Sequence, residues 1–310
     1  MCLCGSKLLL PDKMSLESVS ICPICSSSFF TKLLSAKDHT TTGEQFEIVK
    51  CSQCSFALTN PRPDINSIGK YYQSEKYISH TGSSKSLFDK IYIFARAITL
   101  GWKLKLINKH KPIGSILDYG CGTGEFLHHL KKHGWAINGV EPSNEARSKA
   151  TDLLQKPISS SIEKLEESQF DVITLWHVLE HIHDINEKLF FVKSLLKQDG
   201  IIFIAVPNHE APDAQKYGAY WAGYDVPRHL WHFSKDSMKK LFDKTGLELI
   251  DIHPMKLDAY YVSLLSEGYK YPNQSKIVNA FKAIVNGLSS NLAAAKDQNH
   301  SSLIYIAKKR

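Results

Sequence analysis

From Ile113 onward the chain alternates short apolar runs with stretches that repeat apolar residues at helical spacing, and this alternation constrains the fold more than any other feature. "SILDYG", "AINGVEPS", "FDVITLWHV" and "GIIFIAVPN" read as strands, while "GEFLHHLKKHG", "SNEARSKATDLL" and "NEKLFFVKSLLKQD" read as the helices between them. A further short strand is expected near "KPISSS". Strands joined through helices lie parallel and carry those helices on both faces. The expectation is therefore an α/β, doubly wound, mostly parallel sheet of seven strands. "SKDSMKKLFDKTG" reads as a late helix, followed by the strands "LELIDIHP" and "SLIYIAKK". Residues 258–302 between those strands form an insertion with helical patterns around Tyr260–Tyr269 and Lys276–Leu292. A strand returning after such an insertion predicts a hairpin-like final pair.

The first strand ends on an acid, Asp118, and runs into Gly120, Gly122 and Gly124. In an open parallel sheet, ligands bind beyond the carboxyl ends of the strands. Glycines there permit a tight turn and a close backbone approach before a helix starts at Glu125. Glu141 ends the second strand, where a carboxylate can accept both hydroxyls of a ribose. A dinucleotide fingerprint would read G-x-G-x-x-G, whereas this loop is G-x-G-x-G followed by Glu125. A negative side chain opening the helix, with Asp118 aimed at the same pocket, disfavours pyrophosphate. Both acids suit a ligand with a ribose and a cationic amino-acid part, and S-adenosylmethionine is such a ligand.

Ahead of this region stand two C-x-x-C pairs, Cys22–Cys25 and Cys51–Cys54, with twenty-five residues between them. Two such knuckles complete a tetrahedral thiolate shell, and thiolates favour Zn2+. The spacer can hold a hairpin, "SFFTKLLSA" and then "TTGEQFEIVK". Four thiolates leave no open position for water or substrate, so this site is expected to be structural. The other reading is two unrelated pairs of reduced cysteines. The organisation expected is a zinc-ribbon-like module over 1–60, a helical linker over 61–111 and the α/β domain over 112–310.

In the linker, Pro61 and Pro63 break regular structure, a short helix is expected over Asp64–Tyr72, and "HTGSSKS" reads as a loop. Leu87, Ile91, Phe94, Ile98, Trp102 and Leu106 then recur at helical spacing. The formal net charge of the chain is +7, and six lysines and one arginine against Asp89 alone concentrate it in residues 85–111. One reading is a helix packed on the next domain; the other is a basic amphipathic helix lying on an anionic membrane surface. No run of about 18 apolar residues exists to span a bilayer. The apolar stretch before Pro11 is too short for a signal peptide, so a reducing, cytoplasmic setting is expected, peripheral to the inner membrane face on the second reading.

Taken in order, "LDYGCGTG", "VEPS" and "FDVITLWHVLEHI" resemble the class I S-adenosylmethionine-dependent methyltransferases over about the last two-thirds of the chain. The resemblance implies a Rossmann-like fold and a transferase activity. It implies that Asp118, Gly120, Gly122 and Gly124 hold the methionine part of the donor and that Glu141 binds its ribose. Ser161 and Ile162 fall where that family flanks the adenine, and Trp176 and His177 where it looks out over the methyl group. The cysteine module followed by such a domain resembles the zinc-containing sugar C-methyltransferases, which carry a Glu-His pair before Leu-x-Tyr-Phe-Ser. Here the sequence is "RHLWHFS": His229 matches, Arg228 stands in place of Glu, and His232 in place of Tyr. The remainder also resembles the ubiquinone-type O-methyltransferases.

Methyl transfer from a sulfonium is an in-line displacement, and the acceptor atom can need to lose a proton to a neutral imidazole. His177, His181, His229 and His232 are the candidates; His229 is the chosen base, with His177 near the donor and His181 structural. Arg228 could bind an acidic group of the acceptor or pair with Asp225. The expected partner is a small-molecule acceptor of sugar, quinone, lipid or phenol type, its pocket shaped by the 258–302 insertion. Two other functions compete: a nucleic-acid methyltransferase and a non-catalytic donor-binding module. Against nucleic acid, the fourth-strand end reads "LWHVLEHI", not the [DN]-P-P-[YF] tetrapeptide of amino-methylating enzymes.

Overall fold

The computed structural model describes residues 15–72, 87–165 and 168–310, with side chains from residue 98 onward in the helix that opens the second segment. Cys2 and Cys4, the "HTGSSKS" loop, Lys85 and the side chains of Leu87, Ile91 and Phe94 lie outside the described residues.

The central sheet forms from β6 (Ser115–Tyr119), β7 (Ala136–Val140), β8 (Phe170–Trp176), β9 (Leu196–Pro207), β11 (Leu247–Pro254) and β12 (Ser302–Lys309). Its order is β11-β12-β9-β8-β6-β7. β6 pairs in parallel with β7 and β8, and β8 with β9, while β12 runs antiparallel between β9 and β11. The late hairpin-like pair is thus present. Six strands are paired, and the seventh, expected at "KPISSS", is one parallel bridge between Val140 and Ser159. That stretch offers a single buried apolar side chain, Ile158, too little to hold a longer strand against the sheet.

Helices α2 (Glu125–Lys132), α3 (Asn144–Leu154) and α4 (Ile185–Ser194) fill the crossovers. α4 ends five residues earlier than the periodicity predicts. The amide of Phe170 donates to the Leu195 carbonyl at 2.8 Å and Phe170 pairs with Leu196, so the sheet captures both leucines. A longer helix α1 (Leu87–His110) precedes β6, and its Leu104, Leu106 and Ile107 enter the core beside Phe126, Leu130 and Phe203. α6 (Lys235–Thr245) is closed by a capping box at Ser234 and by Gly246 in the left-handed region. The insertion folds as two helices, α7 (Asp258–Lys270) and α8 (Lys276–Ala294). Among the described residues no helix is long and apolar enough to cross a membrane.

The cysteine module contributes β2 (Phe30–Lys37), β3 (Gln45–Cys51) and β4 (Ala57–Thr59), with the predicted hairpin between the knuckles in place. Its sheet has a fourth strand that the sequence did not announce. β10 (Trp231–His232), from the "RHLWHFS" segment, pairs with β4 through Trp231–Leu58 and His232–Ala57. Phe56 stacks on Trp231, and Arg62 lies over the same indole at 4.5 Å. Residues of the module and of the central sheet share one hydrophobic core. Of the short helix expected over Asp64–Tyr72, the part that forms is Ile68–Tyr72, as a 3-10 turn. The Asp64 carboxylate takes the amides of Asn66 and Ser67 instead, which holds those residues in a turn.

Candidate active site

The three glycines after β6 serve three purposes. Gly120 and Cys121 donate their amides to the Val140 carbonyl at 2.8 and 3.0 Å, folding the loop back onto β7. Gly120 sits at φ +78°, and a Cβ there would meet Val178 at 2.4 Å. Gly124, at φ +85°, would press a Cβ on Ala150 of α3. Gly122, at φ +55°, has nothing within 4 Å on its Cβ side, so its missing side chain leaves open space rather than a packing contact. The Gly122 amide donates to Oε2 of Glu141 at 2.9 Å and the Ser143 amide to Oε1 at 2.8 Å. Each oxygen keeps a lone pair for a further donor. A glycine cradle bordered by an oriented carboxylate fits an adenosyl ligand.

Asp118 is buried and accepts a 2.6 Å hydrogen bond from Thr174 Oγ1. Burial pushes its pKa up to about 7, against the pull of Thr174 and of the Lys103 ammonium. Lys103 on α1 was read from sequence only as one of a basic series. Its Nζ stands 3.9 Å from the Trp176 ring centre and 5.6 Å from that of Phe126, and burial lowers its pKa to about 8 in spite of Asp118 and Asp258. Acid and aromatic face together form a box that holds a cation. Trp176 meets Phe126 edge-on, and its indole nitrogen is buried without a hydrogen-bond partner. Ile162 is in the core and Ser161 is half-buried, just past the Val140–Ser159 bridge that also fixes the Glu141 backbone.

His177 follows Trp176 at φ +55°, unusual for a residue with a Cβ. Its Nε2 is 3.1 Å from Asp258 Oδ2 and its Nδ1 3.3 Å from Glu180 Oε1. Burial works against the charged ring, but the two carboxylates outweigh it and raise the pKa to about 10. At neutral pH His177 is therefore an imidazolium without a free lone pair. It follows Trp176 at the end of β8, in a state that cannot accept a proton.

His229 has the opposite environment. Its Nδ1–H donates to the Gly223 carbonyl at 2.9 Å, which leaves Nε2 as the lone-pair nitrogen of the neutral ring. That nitrogen faces Asp225 Oδ2 at 3.9 Å and Glu180 Oε1 at 4.0 Å, beyond direct hydrogen bonding. The Glu180 side chain is fully buried, and sequence gave no sign that it would stand among His177, His181 and His229. His181 stays neutral, its pKa lowered to about 4 by burial and then by His229. Its Nδ1 lies 2.9 Å from the Tyr72 hydroxyl and 3.0 Å from the Arg228 carbonyl, which ties down the His229 segment. His232 is buried, 3.0 Å from Thr59 Oγ1, with its pKa well below the ordinary value through burial. It serves the β4–β10 junction.

Arg228 pairs with Asp225, as one sequence alternative had it, and extends further. Nε and Nη2 engage the two Asp225 oxygens at 2.9 and 2.6 Å, Nη2 also reaches Asp38 at 3.1 Å, and Nη1 donates to the Tyr71 carbonyl at 2.9 Å. The guanidinium is 1% exposed. These internal partners occupy it, so it is not offered to an acidic acceptor.

At the module's tip, Cys22 Sγ lies 3.5 Å from Cys54 Sγ, and Cys25 Sγ 3.5 Å from Cys51 Sγ. All four sulfurs lie within 4.8 Å of one another. Zn–S bonds of about 2.3 Å in a tetrahedron place sulfurs about 3.8 Å apart, so the set fits one zinc ion. The two knuckles repeat one geometry: Ser26 and Ser55, each next after the second cysteine, sit at φ 63° and 65° and donate to the carbonyls of Cys22 and Cys51.

A methyltransferase-domain family model matches residues 94–252, half of the chain. A ubiquinone biosynthesis O-methyltransferase from Pelagibacter ubique is 28% identical over 208 residues, covering 59% of this chain and 80% of that protein. Its counterpart in Pasteurella multocida is 31% identical over 111 residues, covering 30% of this chain and 46% of that protein, so the match spans less than half of that relative. Among solved structures, phosphoethanolamine N-methyltransferase 2 of Haemonchus contortus in complex with S-adenosyl-L-methionine is 17% identical with a TM-score of 0.49, covering 82% of this chain and 62% of that one.

Proposed function

The chain belongs to the family of class I S-adenosylmethionine-dependent methyltransferase domains, and from that premise we propose that it methylates a hydroxyl-bearing small molecule with the His229 imidazole as general base. One observation carries the assignment of the base. Of the four candidate histidines, His181 is tied to Tyr72 and Arg228, His232 to Thr59, and His177 is held charged between carboxylates, while His229 is anchored at Nδ1 with Nε2 free of a direct partner.

When bound, S-adenosylmethionine supplies an electrophilic methyl group on a sulfonium. The Gly122 backbone leaves room for the ligand, and Asp118 faces its ammonium. Glu141, held by the amides of Gly122 and Ser143, accepts its ribose hydroxyls, and Ser161 and Ile162 flank its adenine. The Trp176 face, against which an ammonium already rests, suits the sulfonium. His229 Nε2 takes the hydroxyl proton, and Asp225 and Glu180 stabilise the imidazolium that results. Placing acceptor and methyl about 3 Å apart supplies much of the remaining rate. The similarity to ubiquinone biosynthesis O-methyltransferases supports oxygen as the accepting atom.

His229→Ala should leave calorimetric binding of S-adenosylhomocysteine unchanged and lower turnover by about 10²- to 10⁴-fold. Turnover is read by mass spectrometry of cell extract supplied with isotope-labelled donor. Near wild-type labelling by the variant would remove His229 from the base's role. The four cysteines are assigned to a structural zinc, and elemental analysis of purified protein should return about one equivalent per chain. A metal-free protein with the same melting temperature refutes that assignment.

A further inference from the structure

The polarity of α8 is reversed. Asn279, Asn286 and Ser290 are buried on its inner face. Asn286 donates to the Tyr217 hydroxyl and to Glu267 Oε1, both at 2.8 Å, and Ser290 donates to Asp213 Oδ1 at 2.8 Å. Gly287 lets the helix approach Tyr260, where a Cβ would come within 2.7 Å. The outer face carries Ile277, Phe281, Ile284, Leu288 and Leu292 at steps of four, three, four and four residues, a single stripe. Those five side chains are 49% to 79% exposed. A helix of a globular protein ordinarily turns such a stripe toward its core. Leu257, just ahead of α7, and Leu264 within it are also exposed. Exposed apolar surface in such quantity, rimmed by polar residues, marks an interaction site.

Charge selects the partner. α8 carries Lys276 and Lys282 and no acidic residue. The ammonium groups of Lys270 and Lys282 lie 5.8 and 4.6 Å from the ring of Tyr271, at the turn between the helices. The acids of the insertion are engaged: Glu267 is buried against Tyr217 and Asn286, Asp258 is bonded to His177, and Asp297, beyond α8, to Asn299. A second copy would set the same lysines against each other, and a neutral apolar partner would leave them unmatched. An anionic bilayer matches both the stripe and its rim. We propose that the α7–α8 hairpin docks the enzyme on an anionic phospholipid surface, with the stripe at the acyl boundary and the lysines among the headgroups. This surface is distinct from the basic stretch at 85–111. It is also joined to the candidate site, because α7 begins at Asp258, the partner of His177.

The test uses the full chain and two kinds of vesicle, phosphatidylcholine alone and phosphatidylcholine with about one-third phosphatidylglycerol. Co-sedimentation should show binding at least about tenfold tighter to the second. The double substitution Phe281→Ser and Leu288→Ser should weaken that binding about tenfold or more. Lys276→Glu with Lys282→Glu should abolish the preference for the anionic vesicle. Unchanged affinity for S-adenosylhomocysteine shows that the variants are folded, and vesicle binding depends on neither the acceptor nor the base. Equal affinity for the two vesicles, or undiminished binding by the serine variant, overturns the proposal. So does a wild-type dimer in sedimentation velocity that the serine variant converts to monomer, since the stripe would then join two copies.

Discussion

The glycine loop and the His229 segment are built by different rules. The loop is local: Gly120, Gly122 and Glu141 lie within about twenty residues, and backbone amides do most of the work. The His229 segment depends on distant parts of the chain. Thr59 Oγ1 donates to the His229 carbonyl at 2.7 Å, while Arg228 reaches back to Asp38 and Tyr71 and β10 completes the sheet of the cysteine module. The module therefore braces the segment that carries the proposed base. If so, damage to the brace should reach stability and turnover while the donor site keeps its affinity.

Arg228→Ala is the strongest attack on this contrast. It leaves Asp38, fully buried, and Asp225 without their cation. Breaking a buried pair by removing one partner costs about 3–5 kcal/mol, and urea denaturation should show a loss of that size. Below the unfolding transition, calorimetry with S-adenosylhomocysteine should still give near wild-type affinity. A parallel collapse of donor affinity in folded protein would mean that the two regions are a single unit.

Gly122→Val strikes the other region. A valine at φ +55° is strained, and its side chain would occupy the open space beside Glu141. Donor affinity should fall by roughly a hundredfold, about 2.7 kcal/mol, with a smaller effect on melting temperature. Undiminished heat of S-adenosylhomocysteine binding would place the donor elsewhere.

The same contrast governs what could be read beforehand. Asp118, the three glycines and Glu141 were legible because spacing along one strand–loop–helix unit fixes their geometry. Around His229 the sequence misleads. Arg228 in place of a glutamate reads as a broken dyad, yet Glu180 and Asp225 bring carboxylates to within about 4 Å of Nε2. No local pattern announces Glu180 there, since a buried acid three residues after His177 looks like any 3-10 turn residue. The end of α4 was missed because pairing with Phe170 overrides the helical propensity of two leucines. Periodicity located both helices of the insertion, but it defines a stripe without saying which way the stripe faces. For α8 the burial of Asn279, Asn286 and Ser290 decides it.

The smallest expected effect concerns pH, and it separates the regions through their charges. Burial raises the pKa of Asp118 to about 7, from near 4 in an unfolded chain. Between about pH 4 and 7 the folded state holds a proton that the unfolded state has lost, so this group's contribution to stability falls as pH rises through that window. Donor binding has the opposite sign. The donor's ammonium favours ionised Asp118, so affinity for S-adenosylhomocysteine should rise with pH up to about 7, by at most about tenfold per unit, and more gently above it. Deprotonation of Lys103 near pH 8 acts in the same direction, by removing the ammonium that shares the box. His177, raised to about 10, stays charged in the folded protein throughout and adds no slope to donor binding below pH 8. In Asp118→Asn the rise below pH 7 should vanish and the affinity at pH 7.5 should be low. A wild-type affinity that is flat from pH 5.5 to 7.5 would show that Asp118 is already ionised in the free protein, and the buried acid would then bind its cation without the proton exchange that burial implies.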